Sequence, residues 1–140
     1  MDVEGTADEA GSGMPRKRFT RAEANALLPS LVPILTRLRD NVQALMAEKV
    51  RLARMALQGG VSLDTARGAE ERVERLETAI TEDIWMIQAL GVELKGIDDG
   101  LIDFPTLRDG RVVYLCWRLG EGAIAHWHEV DDGFGGRQPL

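Results

Sequence analysis

The residue types best suited to chemistry lie together near the C-terminal end of the chain. The only cysteine, Cys116, the only tyrosine, Tyr114, and both histidines, His126 and His128, fall within fifteen positions. Thiolate and imidazole groups are preferred ligands of zinc and iron, and an imidazole beside a thiol can also activate it as a nucleophile. These residues are therefore candidates for a metal site formed by Cys116, His126 and His128, or for a catalytic thiol.

The pairing of two predicted strands decides whether these side chains can meet. Segments 111–118 and 123–129 are predicted to form an antiparallel pair. A two-residue turn between them would place both histidines on the face opposite to Cys116, because a shift of one residue exchanges the faces of a strand. A three-residue loop ending at Gly122 places Cys116 opposite His126 instead. We expect the second arrangement, because Gly122 can supply the left-handed residue that such loops need.

This register divides the side chains between an apolar and a polar face. The apolar face is expected to close the core, and it holds Val113, Leu115, Trp117, Ala125 and Trp127. The polar face holds Tyr114, Cys116, Arg118, His126 and His128. A lone cysteine is commonly buried for packing alone. A soft metal site normally needs three or four protein ligands, and the spacing here supplies no second cysteine. We therefore rank structural packing above a metal site, and a metal site above a nucleophile.

Upstream of this cluster, the sequence predicts a helical scaffold. Thr20 and Glu23 have the spacing of a reciprocal capping box at a helix start. Pro29 and Pro33 each remove a backbone donor and clash with the preceding turn. We expect a short helix over 21–28, then a break or kink, and then a long helix.

Apolar residues at steps of four and three predict two long helices that form an antiparallel coiled-coil hairpin over 19–91. The first series is Leu31, Leu35, Leu38, Val42, Leu45, Leu52 and Ala56, and the second is Ala69, Val73, Leu76, Ile80, Ile87 and Leu90. Lys49 and Asp83 interrupt the two series. Gly59-Gly60 ends the first helix, Ser62 or Asp64 can cap the second, and Gly91 closes it.

A two-helix hairpin leaves apolar side chains without cover. These are Val32, Ile34, Met46, Val50, Met55, Trp85 and Met86. We expect Trp85 to lie beneath the C-terminal segment and the remaining surface to pair with a second copy, so that the protein is a homodimer through its hairpin.

Residues 92–140 are predicted to form a small antiparallel β-ribbon cap with a tail. Residues 97–100 have turn chemistry, residues 101–105 form an extended edge segment stopped by Pro105, and Asp109-Gly110 is a strong hairpin signal. The predicted fold class is α+β, mostly α, in one domain over 19–140.

Composition limits the classes of function. Among 140 residues there are 17 basic and 23 acidic ones, a net charge of −6, so nucleic acid and anionic lipid are unfavourable partners. A single cysteine excludes an intramolecular disulfide. No segment is predicted to cross a membrane or to be a signal peptide, and residues 1–18 are predicted to be a disordered tail. We expect a cytoplasmic protein.

Two strings of residues resemble a known family. They are Phe19-Thr20-x-x-Glu23-Ala24-Asn25-x-Leu27-Leu28-Pro29, and Cys116-Trp117-Arg118-x-Gly120-Glu121 followed by Ile124-x-x-Trp127-His128-Glu129 and Gly133-Phe134-x-Gly136-Arg137-Gln138-Pro139. They are similar to those of the bacterial family called domain of unknown function 2203, over nearly all of 19–140. That family carries no established activity, so the resemblance implies kinship and not function.

The resemblance also implies which positions matter. They are Asp103, Phe104, Pro105, Arg118, Glu121, Trp127, His128, Glu129, Gly136 and Arg137. Position 126 is not fixed as histidine in the family pattern, which weakens a ligand set that needs both histidines. Arginines, an imidazole and carboxylates suit either an internal network of salt bridges or recognition of an anionic group.

These observations favour a non-enzymatic, self-associating interaction module. Its C-terminal cap would recognise a protein partner or a small anion through Arg118, Glu121, His128, Glu129 and Arg137. The alternative is a zinc- or iron-binding protein that uses Cys116 and His128, with His126 as a third ligand. A cysteine-dependent enzyme ranks third, because no oxyanion element accompanies Cys116.

Overall fold

Two long helices and one antiparallel sheet make up residues 17–140, the part that the computed structural model describes. Helix α1 spans Arg21–Gln58 and α2 spans Leu63–Ala89. Five strands follow in the order β1-β2-β3-β4-β5, all antiparallel: β1 (Glu93–Gly96), β2 (Leu101–Arg108), β3 (Arg111–Arg118), β4 (His126–His128) and β5 (Gln138–Pro139). The predicted α+β fold is confirmed. The tail predicted for 1–18 lies, except for its last two residues, outside the described residues.

Helix α1 begins at the predicted capping box but does not break at its prolines. Thr20 accepts a bond from the Glu23 amide, and the Glu23 carboxylate accepts one from the Thr20 amide. Pro29 and Pro33 lie inside one continuous helix, so the predicted short helix over 21–28 is wrong. An interior proline costs about 3 kcal/mol. Burial of the neighbouring side chains offsets that cost, and these are Leu28, Leu31, Ile34, Leu35 and Leu38.

The two helices pack antiparallel, and ion pairs occupy the interruptions of their apolar seam. Asp83, almost fully buried, accepts two hydrogen bonds from Arg37, at 2.9 Å from Nε and 2.6 Å from Nη2. Lys49 Nζ lies 3.6 Å from Glu77 Oε2. Ser62 caps α2 by accepting a bond from the Thr65 amide. Each charged interruption thus faces an opposite charge on the other helix.

The hairpin is well buried only at the end that meets the sheet. The buried residues of α1 lie no later than Leu38, and α2 adds Ile87 to the same core. Towards the connecting loop, Ala69 is the only fully buried residue of the helices among those described. Trp85 is 66 % exposed, so its predicted position beneath the C-terminal segment is wrong. It lies about 200° around the helix from Ile87, which faces the core. No described helix is long and apolar enough to cross a membrane.

The central hairpin of the sheet forms as predicted, whereas β2 is longer than expected. Asp109 and Gly110 have φ angles of 52° and 81°, the left-handed pair that a tight hairpin turn requires. Strand β2 continues through Pro105, which faces Tyr114. Pro105 does not stop the strand, because its carbonyl points away from β3 and accepts a bond from the Phe19 amide at 2.8 Å. The missing N–H therefore falls on the side away from β3. Strands β1 and β5 were not predicted.

The predicted register of β3 and β4 is confirmed, but the predicted loop is not. Cys116 faces His126, and Tyr114 faces His128. The left-handed glycine in the connection is Gly120, at φ 102°, and not Gly122. Trp117 Nε1 instead donates to the Gly122 carbonyl at 2.7 Å.

One side chain of the predicted apolar face lies elsewhere. Ala125 is exposed, and Ile124 is buried in the core in its place. The Ile124 amide donates to Asn25 Oδ1 at 2.8 Å, and Arg21 Nε donates to the Ile124 carbonyl at 3.0 Å. These two bonds to α1 hold residue 124 against the helix before the chain enters β4.

Candidate functional site

A row of four polar side chains crosses the sheet on the face away from the helices. Glu93, Asp103, Cys116 and His126 are successive pairing partners on strands β1 to β4. His128 lies two residues further along β4 on the same face, and it reaches back diagonally to Asp103. The sheet thus brings Asp103, Cys116 and His128 together, and all three are at most 2 % exposed.

Hydrogen bonds fix both nitrogens of the His128 ring. Nδ1 lies 2.7 Å from the Glu129 carbonyl oxygen, which can only accept, so Nδ1 carries a proton. Nε2 lies 3.0 Å and 3.1 Å from the two carboxylate oxygens of Asp103. One proton must lie between Nε2 and the carboxylate. The ring is therefore oriented with Nε2 directed into the cluster.

Burial changes the acidity of the other two members. The pKa of Asp103 is raised, chiefly by desolvation, although His128, Lys95 and Cys116 each act to lower it. Desolvation also raises the pKa of the Cys116 thiol to about 11, despite the nearby Arg137 guanidinium. A nucleophilic cysteine needs the opposite shift. The geometry therefore gives no support to an activated thiol.

Two cations with their own counter-ions border the cluster. Lys95 Nζ lies 3.2 Å from Glu93 Oε1 and 3.9 Å from Asp103 Oδ2. On the opposite side, Arg137 Nη1 lies 3.9 Å from Cys116 Sγ, and the guanidinium forms a two-pronged ion pair with Glu121. The Arg137 guanidinium in turn lowers the pKa of Glu121. Glu93 and Glu121 thus neutralise most of the positive charge at the border of the cluster.

Three side chains, not the three predicted, have the geometry of a metal-ligand set. One ligand atom from each of Asp103, Cys116 and His128 lies within 4.8 Å of the other two, and His126 does not belong to this group. Asp103 was missed as a ligand, although the tight turn at Asp109-Gly110 already implies that it pairs with Cys116. The resemblance had marked Asp103 without giving it a role.

The five side chains predicted to bind a partner do not form one surface. His128 is buried beside Asp103, Glu121 is paired with Arg137, and Glu129 pairs with Arg111 on the exposed surface. Arg118 is exposed and stacks on the Phe134 ring at 4.7 Å, and Arg137 stacks on the same ring at 4.3 Å. Most of the predicted binding charges are therefore used within the chain.

The chain matches one family model over the whole of its described length. The model is described as uncharacterized conserved protein (DUF2203), and the match covers residues 17–140. No curated protein and no solved structure matches the chain.

Proposed function

The chain belongs to the family of uncharacterized conserved proteins DUF2203, whose description assigns no activity, and from the structure we propose that it is a non-enzymatic module that self-associates through its hairpin. Two copies of α1 pack antiparallel along the stripe Met46, Val50, Ala53 and Leu57. The observation that carries this proposal is the exposure of that apolar stripe on a long helix.

The stripe has the spacing of a second helical seam. Its residues follow steps of four, three and four, which places them on one face of α1. Val50 is 51 % exposed, Met46 more so, and Leu57 is 87 % exposed. The face lies beside the seam that contacts α2, so nothing within residues 17–140 covers it. Contiguous apolar surface of this kind is typical of a protein–protein interface.

Charge complementarity favours a second copy as the partner. When Met46 of each copy faces Val50 of the other, antiparallel geometry brings Asp40 of one copy beside Arg54 of the other. A two-fold axis then repeats this ion pair on both sides of the apolar centre. Arg54 has no ion-pair partner within the described residues, and Asp40 contacts only its neighbour Arg39, at 3.4 Å.

This packing places the two sheets at opposite ends of the dimer. With 1.5 Å of rise per residue, the sheet-proximal ends of the two α1 helices, at Arg21, lie roughly 80 Å apart. The dimer would thus present two copies of the C-terminal cap to a bivalent partner. Arg118, which makes no ion pair within residues 17–140, is the charged group of the cap best placed to contact such a partner or a small anion.

Light scattering coupled to size exclusion tests the proposal over a range of protein concentrations. We expect a dimer for the native chain and a monomer for Val50→Asp, because the substitution buries a charge in the apolar centre. Val130→Asp is the matched control: Val130 is 47 % exposed but lies after β4, so this variant should remain dimeric. A monomeric native chain, or a dimeric Val50→Asp variant, would overturn the proposal.

Charge reversal tests the register of the two helices. Arg54→Asp alone should weaken the dimer, because two like charges then meet at each end of the stripe. The double variant Asp40→Arg/Arg54→Asp should restore it. Failure of the double variant to restore dimerisation would exclude the antiparallel register, and the stripe would then need another arrangement.

A further inference from the structure

We infer that Asp103, Cys116 and His128 form a binding site for a single zinc-class divalent ion, with the fourth coordination position filled by an exogenous ligand such as water. The inference does not depend on dimerisation, because the site lies within one copy.

The distances already approach those of a coordination sphere. Zinc bonds to nitrogen, oxygen and sulfur imply that ligand atoms around a tetrahedral ion lie about 3.3–3.6 Å apart. His128 Nε2 and the Asp103 oxygens are 3.0–3.1 Å apart, and all three ligand atoms lie within 4.8 Å of one another. An ion could therefore enter with side-chain movements of less than about one bond length.

The neighbours of the three residues match the outer shell of a metal site. A metal-bound histidine usually donates its other N–H to a carbonyl or carboxylate, which fixes the ring. His128 Nδ1 does so with the Glu129 carbonyl at 2.7 Å and leaves Nε2 for the ion. Arg137 Nη1, at 3.9 Å from Cys116 Sγ, can continue to donate to a bound thiolate.

The charges balance for a divalent ion. Thiolate and carboxylate supply two negative charges, and the imidazole binds in its neutral form. Binding releases the thiol proton and the proton shared by Asp103 and His128. Lys95 and Arg137 add no net charge at the border, because Glu93 and Glu121 pair with them.

The residue types select the class of ion. Sulfur and imidazole ligands favour zinc and its neighbours over magnesium or calcium, which prefer oxygen. Within residues 17–140, no fourth His, Cys, Asp or Glu joins the group. Three protein ligands with one free position resemble exchangeable or catalytic zinc sites more than closed structural ones.

Cobalt(II) titration of the full-length chain tests the site, because Cys116 is the only cysteine and therefore the only source of a thiolate-to-cobalt absorption band. We expect this band to saturate at one ion per chain, to show the strong visible bands of a tetrahedral ion, and to disappear when zinc is added. Absence of the band at saturating cobalt in the folded protein would overturn the inference.

Two variants test proposed ligands, and a third is a control. Cys116→Ser should abolish the absorption band, and Asp103→Asn should weaken cobalt binding at least tenfold. His126→Asn is the matched control, since it removes an imidazole on the same face and should leave binding unchanged. If His126→Asn abolishes binding while Asp103→Asn does not, the ligand set proposed here is wrong. Should Asp103→Asn fail to fold, the native titration with Cys116→Ser and His126→Asn still decides the question.

Discussion

The half of the hairpin near the loop that connects α1 and α2 exposes apolar side chains, whereas the polar face of the sheet buries ionisable ones. At the distal end, Met46, Val50 and Leu57 are apolar and exposed. On the sheet, Asp103 and His128 are ionisable and almost fully buried. Both arrangements cost free energy in an isolated monomer, the first through apolar hydration and the second through desolvation.

The two regions differ in how the free-energy cost of each arrangement is offset. The buried polar face is already satisfied internally, because no buried side-chain nitrogen or oxygen within the described residues lacks a hydrogen-bond partner. The exposed stripe has no partner within those residues. In the proposed dimer a second molecule covers the stripe of the hairpin, whereas in the proposed metal site the sheet face exchanges its internal bonds for a small ion.

Asp103→Ala should produce the largest loss of stability. It tests whether the buried hydrogen bonds between Asp103 and His128 stabilise the fold. Removing one member of a buried pair leaves the other unsatisfied, and we expect a cost of about 3–5 kcal/mol in the free energy of urea unfolding. Glu129→Ala is the control, because it removes a carboxylate from an exposed, solvent-screened pair with Arg111 and should leave the urea unfolding midpoint nearly unchanged. If the two variants lose similar amounts of stability, the buried pair of the sheet contributes no more than an exposed one.

The helical half of the fold could be predicted well from local signals. The capping box, the two apolar series and Gly91 define the start, the seam and the end of the hairpin, because each depends on residues close in sequence. The error at Pro29 and Pro33 has a non-local cause. The cost of two interior prolines is offset by burial against a sheet that lies more than sixty residues further along the chain.

The candidate site could be predicted only in part. The faces of β3 and the register of β4 follow from alternation, so Cys116 and His128 were correctly placed on one face. Asp103 was missed because the segment 101–105 was expected to be an edge strand, whereas β2 lies between β1 and β3. The burial of this face was also missed, since it depends on contacts from Lys95 and Arg137, which are far apart in sequence.

Arg37→Ala should cause an intermediate loss of stability. It tests whether the buried Asp83 carboxylate of the hairpin depends on its ion pair with Arg37. The substitution leaves the Asp83 carboxylate buried without its two hydrogen bonds, and we expect a loss of about 1–3 kcal/mol in urea unfolding. Lys49→Ala removes the other charged interruption of the seam, where both side chains are half exposed, and should cost less than about 1 kcal/mol. An equal effect of the two would mean that the burial of Asp83 contributes nothing.

Gly120→Ala should cause the smallest loss of stability. It tests the connection between β3 and β4, which sets Cys116 opposite His126. Gly120 has a φ of 102°, where an L-residue is strained by about 1–2 kcal/mol. Gly122 has no such backbone angle, and a methyl group at either position would meet nothing within 4 Å. Gly122→Ala should therefore leave the unfolding midpoint nearly unchanged. If Gly122→Ala is instead the costlier variant, the loop is the three-residue type predicted from the sequence. The alignment of the polar face would then depend on Gly122.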